Sequence, residues 1–138
     1  KKGYKMNIKR FWMAVVAAYI AMTISGIIGS MIFMDQLSSY SALGRPEEEL
    51  YGMMPYMFGA YIVMTIVFVY LYVNIRKTGD IVEGAKFGAL IGILVSCLTW
   101  VLYSMLPFEM PALIADNVIN LSSNIFGGMV MAKVYKPA

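Results

Sequence analysis

Four long apolar segments, at about residues 11–34, 53–73, 87–106 and 111–132, dominate this 138-residue chain. A helix needs about 20 apolar residues to cross the ~30 Å hydrocarbon core of a bilayer, and each segment reaches that length. A core helix of a water-soluble protein reads apolar for only about 10–14 residues, so the longer run, met four times, selects a membrane as solvent. Composition agrees: 60% of the residues are hydrophobic and 14% are charged, against about 25% charged in a soluble domain. The expected fold is all-α: one four-helix transmembrane bundle covering residues 1–138.

The charges are sorted along the chain. Lys1, Lys2, Lys5, Lys9 and Arg10 precede the first span, Arg76, Lys77 and Lys86 separate the second from the third, and Lys133 and Lys136 follow the fourth. Four crossings put all of these on one side. Arg45 falls on the other, with Asp35, Glu47, Glu48, Glu49 and Glu109. Basic loops stay cytoplasmic, so both termini are expected inside a multi-pass membrane protein. The net charge of +3 reports this topology. No nucleic-acid partner is expected, because no basic helix face is present. The first span is too long for a signal-peptide core and no small-residue cleavage site follows it, so it reads as retained. Met6-Asn7-Ile8-Lys9-Arg10 looks like a natural start, leaving residues 1–5 as an upstream extension or the remnant of a longer chain.

Between spans one and two, Gly44-Arg45-Pro46-Glu47-Glu48-Glu49 predicts a turn into a short acidic extracytoplasmic helix, with proline at its first position and carboxylates at the positive end of its dipole. Thr78-Gly79 closes one helix, and Asp80-Ile81-Val82-Glu83 reads as a capping box opening the next. Pro107 and Pro111 bracket a short turn, which makes spans three and four antiparallel neighbours. Trp12, Tyr51, Tyr56, Trp100, Tyr103 and Tyr135 fall near span ends and fit an aromatic belt.

Chemistry is sparse. The chain has no histidine and a single cysteine, Cys97. That removes imidazole acid–base catalysis, imidazole ligation of haem and the usual zinc sites. No phosphate loop or nucleophile elbow occurs. No enzyme activity, metal site or required cofactor is expected.

Three patterns remain. Gly84, Gly88, Gly92 and Ser96, each four residues on, form a small-residue stripe of the glycine-zipper kind. Such stripes let helix backbones approach in lipid, where packing drives association. Span one offers a match in Ser25, Gly26, Gly29 and Ser30, although the partner could also belong to another subunit. In span four, Asp116, Asn120, Ser123, Asn124 and Gly127 share one arc of the helix, with Asn117 at its edge. Asp116 is the only carboxylate within a span. This polar stripe reads either as interhelical hydrogen bonding or as the lining of a path for an ion, proton or polar headgroup. In span two, Met57, Tyr61, Met64, Phe68 and Tyr72 lie on one side. They suit plain packing, or a groove for a bound lipid, quinone or carotenoid.

Several stretches resemble a group of small, uncharacterised bacterial membrane proteins of four helices: Met6-Asn7-Ile8-Lys9-Arg10-Phe11, Arg45-Pro46-Glu47 before Met53-Met54-Pro55, Glu83-Gly84-Ala85-Lys86-Phe87-Gly88-Ala89-Leu90-Ile91-Gly92, and Val134-Tyr135-Lys136-Pro137. The resemblance implies an inner-membrane location and no known activity, and it carries over no catalytic residue. The leading functional expectation is an accessory or structural subunit, surrounded by membrane lipids, that packs into a larger membrane complex with other integral subunits. The alternative is a small oligomeric transporter or channel that uses Asp116 and the asparagine stripe.

Overall fold

A computed structural model describes residues 6–41 and 43–135. Lys1, Lys2, Lys5 and Lys136, which entered the topology argument, lie outside the described residues, as does the Lys136-Pro137 end of the resembling segment. The order is α1 (Ile8–Ile32), α2 (Ser38–Ser41), α3 (Glu47–Ile75), α4 (Ile81–Met105) and α5 (Met110–Val134). No strand occurs among the described residues.

By length and composition, α1, α3 and α4 are each capable of crossing a membrane. Helix α5, with 25 residues, has the length for it, at ~1.5 Å per residue. Its polar stripe makes it less apolar than the other three.

Local chemistry explains the helix ends. The Asn7 side chain caps α1 by accepting the Arg10 N–H at 3.1 Å, which satisfies one of the donors a helix start leaves unpaired. The acidic residues after Pro46 do not make a helix of their own. Glu47, Glu48 and Glu49 form the first turn of α3, which runs unbroken for 29 residues through Pro55. Pro46 is its N-cap rather than its first helical residue. Pro55 lies more than two turns into α3, where its missing N–H leaves the Tyr51 carbonyl without its helical partner, and the helix accommodates the loss without a break. Around that turn Arg45 pairs with Glu49 at 3.3 Å and the Tyr51 hydroxyl donates to Glu47 at 3.2 Å. The only separate short helix between α1 and α3, among the described residues, is α2.

The α3–α4 connection is built on two carboxylates. Asp80 caps α4, its Oδ1 accepting the Glu83 N–H at 2.6 Å. Glu83 reaches further back than a capping box requires. Its carboxylate accepts the backbone N–H groups of Lys77, Thr78 and Gly79 at 2.5, 2.9 and 2.6 Å. Gly79 sits at φ +71°, a left-handed conformation that glycine adopts without steric cost.

Helix α5 is the centre of the bundle. Ten of its residues are buried, against five in α1, four in α3 and five in α4. The small residues of α4 meet α5, not α1. A Cβ on Gly84 would overlap the Gly128 carbonyl oxygen, and one on Gly88 would overlap the Asn124 carbonyl oxygen. One on Gly92 would stand 3.0 Å from the Leu121 Cα. The short α4–α5 turn dictates this pairing, and Gly128 supplies the matching flat spot. On its other side α5 meets α1: a Cβ on Gly29 would come within 2.8 Å of Ile119, and one on Gly127 would overlap Met22. Adjacent glycines point about 100° apart on a helix, so Gly127 and Gly128 serve different neighbours.

Helix α3 is attached at one end only. Thr65, Phe68, Val69 and Tyr72 are buried, whereas from Glu47 to Met64 only Met54 is even half-buried. The anchored end belongs to the main apolar core, where Phe68 and Tyr72 pack their rings on Phe87 at 5.0 and 5.5 Å. Aromatic pairs of this kind contribute about 0.5–1.5 kcal/mol each beyond area burial. Tyr135 lies in the same core instead of an aromatic belt. It is 2% exposed, its hydroxyl accepts the Asn7 N–H at 3.3 Å, and the Arg76 guanidinium sits 4.6 Å from its ring centroid. Trp12, Tyr51, Tyr56 and Trp100 are exposed, as belt residues are.

Candidate functional site

Because the first half of α3 stands away from the bundle, it leaves a cavity of about 790 Å³ between itself, α1 and α5. The cavity occupies the half of the molecule remote from the core around Phe68, Tyr72 and Tyr135, and Thr65 lies at its inner limit. Leu37 and Tyr40 of the α1–α3 connection also line it. Tyr40 is held there by a ring contact with Phe108 at 4.8 Å, and Phe108 in turn packs on Tyr103.

Two sequence patterns converge on this space. From α5 come Asp116, Asn120, Ser123 and Asn124, four members of the polar stripe. From α3 come Met57, Tyr61 and Met64, three members of the methionine–aromatic stripe. Gly26 and Ser30 of α1 also face it. A carbonyl-to-methionine range of surfaces therefore encloses one volume: polar along α5, apolar and aromatic elsewhere.

The other candidates are placed differently. Phe68 and Tyr72 turn into the core one and two helical turns past Thr65. Asn117 and Ser96 line a second, shallower groove of about 390 Å³ on the α4–α5 side, with Cys97 and Trp100. Asn117 thus parts from the stripe whose edge it marks. Ser25 is half-buried outside both cavities, while Gly29 packs on Ile119. Residues of the cavity that the sequence patterns do not mark include Tyr19, Met22 and Thr23 on α1, Phe58 on α3, and Tyr40. The first three continue the Gly26–Ser30 face at helical spacing, a signal present in the sequence. Tyr40 lies in a connection, where spacing says nothing about direction.

Asp116 is fixed by two donors. The Thr99 hydroxyl of α4 donates to its Oδ2 at 3.1 Å and the Asn120 amide donates to the same oxygen at 2.9 Å. The Asn124 amide turns back on its own helix and donates to the Asn120 carbonyl at 2.8 Å. The stripe therefore makes one hydrogen bond across helices among the described residues, from Thr99, and otherwise bonds within α5. Two cavity-lining hydroxyls are buried without any partner among the described residues: Ser123 Oγ and the Tyr40 hydroxyl. A buried hydroxyl left unpaired costs about 1–3 kcal/mol, so both are poised to accept or donate to something else. Burial pushes the Tyr40 phenol up to about 12, with the Asp116 carboxylate as the second cause.

Comparison with known proteins found no family model, no curated protein and no solved structure that matches the chain. The site has to be read from its own chemistry.

Proposed function

We propose that this protein is a four-span membrane protein of a bacterial inner membrane that takes a small amphipathic molecule into the α1–α3–α5 cavity, acting as a carrier and not as an enzyme. The observation that carries the reading is the convergence of the α5 polar stripe and the α3 methionine–aromatic stripe on one volume. Small-molecule sites typically measure about 300–1,000 Å³, with mostly apolar walls and a few placed polar groups. An intramembrane ionisable residue facing a cavity is by default a functional candidate, and Asp116 is one.

Four crossings with both termini cytoplasmic are part of the proposal. Lys9, Arg10, Arg76, Lys77, Lys86 and Lys133 gather at the end where Asn7 meets Tyr135. Asp35, Glu47, Glu48, Glu49 and Glu109 gather at the other, where Leu37 and Tyr40 line the cavity. The positive-inside rule then turns that end of the cavity outward. Helix α5 crosses with its stripe screened by its neighbours, which is how polar residues are accommodated in a bilayer. The methionine–aromatic wall suits the apolar part of a lipid, a quinone or a carotenoid-like molecule.

The test is native mass spectrometry of the protein taken from its own membrane in mild detergent. A small molecule bound at one per chain is expected on the wild type and not on Gly26→Leu. A Cβ at Gly26 makes only an ordinary contact, 3.9 Å from Ser123 Oγ, so the larger side chain fills the cavity without disrupting the helix seams. Identical small-molecule content in both proteins, or none in either, would sink the reading.

A second reading, an accessory subunit of a larger complex, is favoured by Asn117. Its Oδ1 is buried without a partner among the described residues, in the α4–α5 groove beside Ser96. An asparagine so placed suits a hydrogen bond from another membrane helix. The same purification tests it, since a stoichiometric set of larger membrane proteins would support this reading.

A further inference from the structure

We infer that the molecule taken up by the cavity is a lipophilic organic cation whose charge seats against Asp116. The inference rests on the carrier reading above and narrows it to one ligand class.

The argument begins from an unbalanced charge. Among the described residues, Asp116 is the only ionisable carboxylate on the cavity wall, and no lysine or arginine lines that wall. The ion pair seen among the described residues, Arg45–Glu49, lies on the exposed first turn of α3. Carboxylates within membrane helices pair with cations or with backbone groups, and among the described residues Asp116 has neither. Thr99 and Asn120 both donate to Oδ2, and Oδ1 receives no hydrogen bond from the described residues. The anion is therefore held firmly and half-satisfied, with no counter-ion among the described residues.

The remaining walls favour a soft cation over a hydrated metal ion. Tyr19, Tyr61 and Phe58 present aromatic surface, and Met22, Met57 and Met64 present thioethers. Aromatic faces attract ammonium-type cations by about 0.5–2 kcal/mol each, more as water is excluded, and thioethers are polarisable and conform to irregular shapes. A small metal ion is held by several oxygen ligands, carboxylates prominent among them, whereas Asp116 is the only carboxylate among the described residues of this wall. The volume of about 790 Å³ exceeds what one metal ion and its ligands occupy and suits a bulky apolar body. Ser123 is the independent mark of a ligand: it is only 7% exposed, it lines the cavity, and its hydroxyl has no partner among the described residues. It lies seven residues beyond Asp116, about 10 Å deeper along α5 at ~1.5 Å per residue. A molecule that spans both positions reaches well into the cavity and carries a hydrogen-bonding group there.

The experiment uses the full chain in lipid nanodiscs and two probes of the same shape and opposite charge, tetraphenylphosphonium and tetraphenylborate. Saturable binding of the cation is expected at one per chain, with the anion bound at least tenfold more weakly. Asp116→Asn should weaken the cation at least tenfold and narrow the gap between the probes. Asp116→Glu should restore the preference, which separates a charge effect from misfolding, and Gly26→Leu should abolish binding of the cation. Equal binding of the two probes by the wild type, or unchanged cation affinity in a folded Asp116→Asn, would overturn the cation inference and leave the cavity reading standing. Failure of both probes to bind would also overturn it. If the native small molecule is then identical on wild type and Gly26→Leu, the carrier reading falls with it.

Discussion

Replacing Gly88 with alanine puts a methyl group where the α5 backbone already is. The new Cβ would overlap the Asn124 carbonyl oxygen and lie 2.7 Å from its carbonyl carbon and 2.9 Å from the Ile125 Cα. None of these atoms can rotate away, so α4 and α5 must part by about 1 Å to restore ordinary carbon contacts of ~3.5–4.0 Å. A gap of that size forfeits roughly a quarter to a half of each dispersion contact along the seam, and overpacking of this kind costs about 1–3 kcal/mol. Alanine returns about 0.8–1.0 kcal/mol through its better helix propensity. The expected net loss is about 0–2 kcal/mol. Gly59 supplies the control, because a Cβ there would meet nothing within 4 Å, so Gly59→Ala keeps the gain of up to about 1 kcal/mol. Gly92→Ala should fall between them, since its nearest contact would be 3.0 Å. Reversible unfolding in mixed micelles, followed by loss of helical circular dichroism, measures all three. If Gly88→Ala and Gly59→Ala were equally stable, the α4–α5 seam would not be the close approach described here. If Gly88→Ala changed oligomeric state with no loss of monomer stability, the stripe would belong to an interface between chains.

The α3–α4 connection should be sensitive to acid. Hydrogen bonds from the Glu83 backbone and the Thr78 hydroxyl hold Asp80 below its ordinary range. Its stabilising contribution is therefore complete above about pH 4, the unfolded carboxylate value, and is lost as pH falls through the depressed folded value. Melting temperature recorded from pH 6 downward should fall less steeply for Asp80→Asn than for the wild type. Glu83→Gln should lower stability by about 1–3 kcal/mol, because it replaces an anion that accepts three backbone N–H groups, and the same melts read it out. The difference in ultraviolet absorbance between wild type and Tyr40→Phe should show its phenolate appearing only near pH 12. As that phenol is raised, the stability it contributes is intact below about pH 10 and is lost between there and about pH 12. Tyr135→Ala empties a fully packed site under the Arg76 guanidinium and should cost about 3–5 kcal/mol, whereas Tyr135→Phe should lose only the Asn7 hydrogen bond, about 0.5–1.5 kcal/mol.

The long helices were legible because length and hydropathy are additive properties of a segment. The Asp80–Glu83 cap and the turn between Pro107 and Pro111 were legible because both are local. What escaped was direction. Spacing puts Asp116, Asn117 and Asn120 on neighbouring bearings, but only the packing of α4 against one flank of α5 decides that Asn117 turns into the α4–α5 groove. Phe68 and Tyr72 continue the stripe of Met57, Tyr61 and Met64, yet α3 touches the bundle only from Thr65 onward, so one stripe serves a cavity at one end and a core at the other. The unbroken start of α3 escaped because Gly44, Pro46 and three carboxylates mark a helix start equally well whether the helix stops before the span or runs on into it. The partner of the Gly84–Gly88–Gly92 stripe needed a knowledge of neighbours: α1 and α5 both offer small residues, and the brevity of the α4–α5 turn chooses between them.

The central position of α5 bears on how such a chain matures. It is the last of the described helices to leave the ribosome and the one whose polar residues make solitary partition into lipid least favourable. The earlier helices can enter the bilayer one at a time, but α4 has almost nothing to hold until α5 arrives. On the four-crossing proposal, insertion is then expected to proceed with α4 and α5 together as a hairpin, Thr99 already matched to Asp116 across it. A nascent chain stopped short of Met110 would leave its membrane helices largely unassembled and open to quality-control proteolysis.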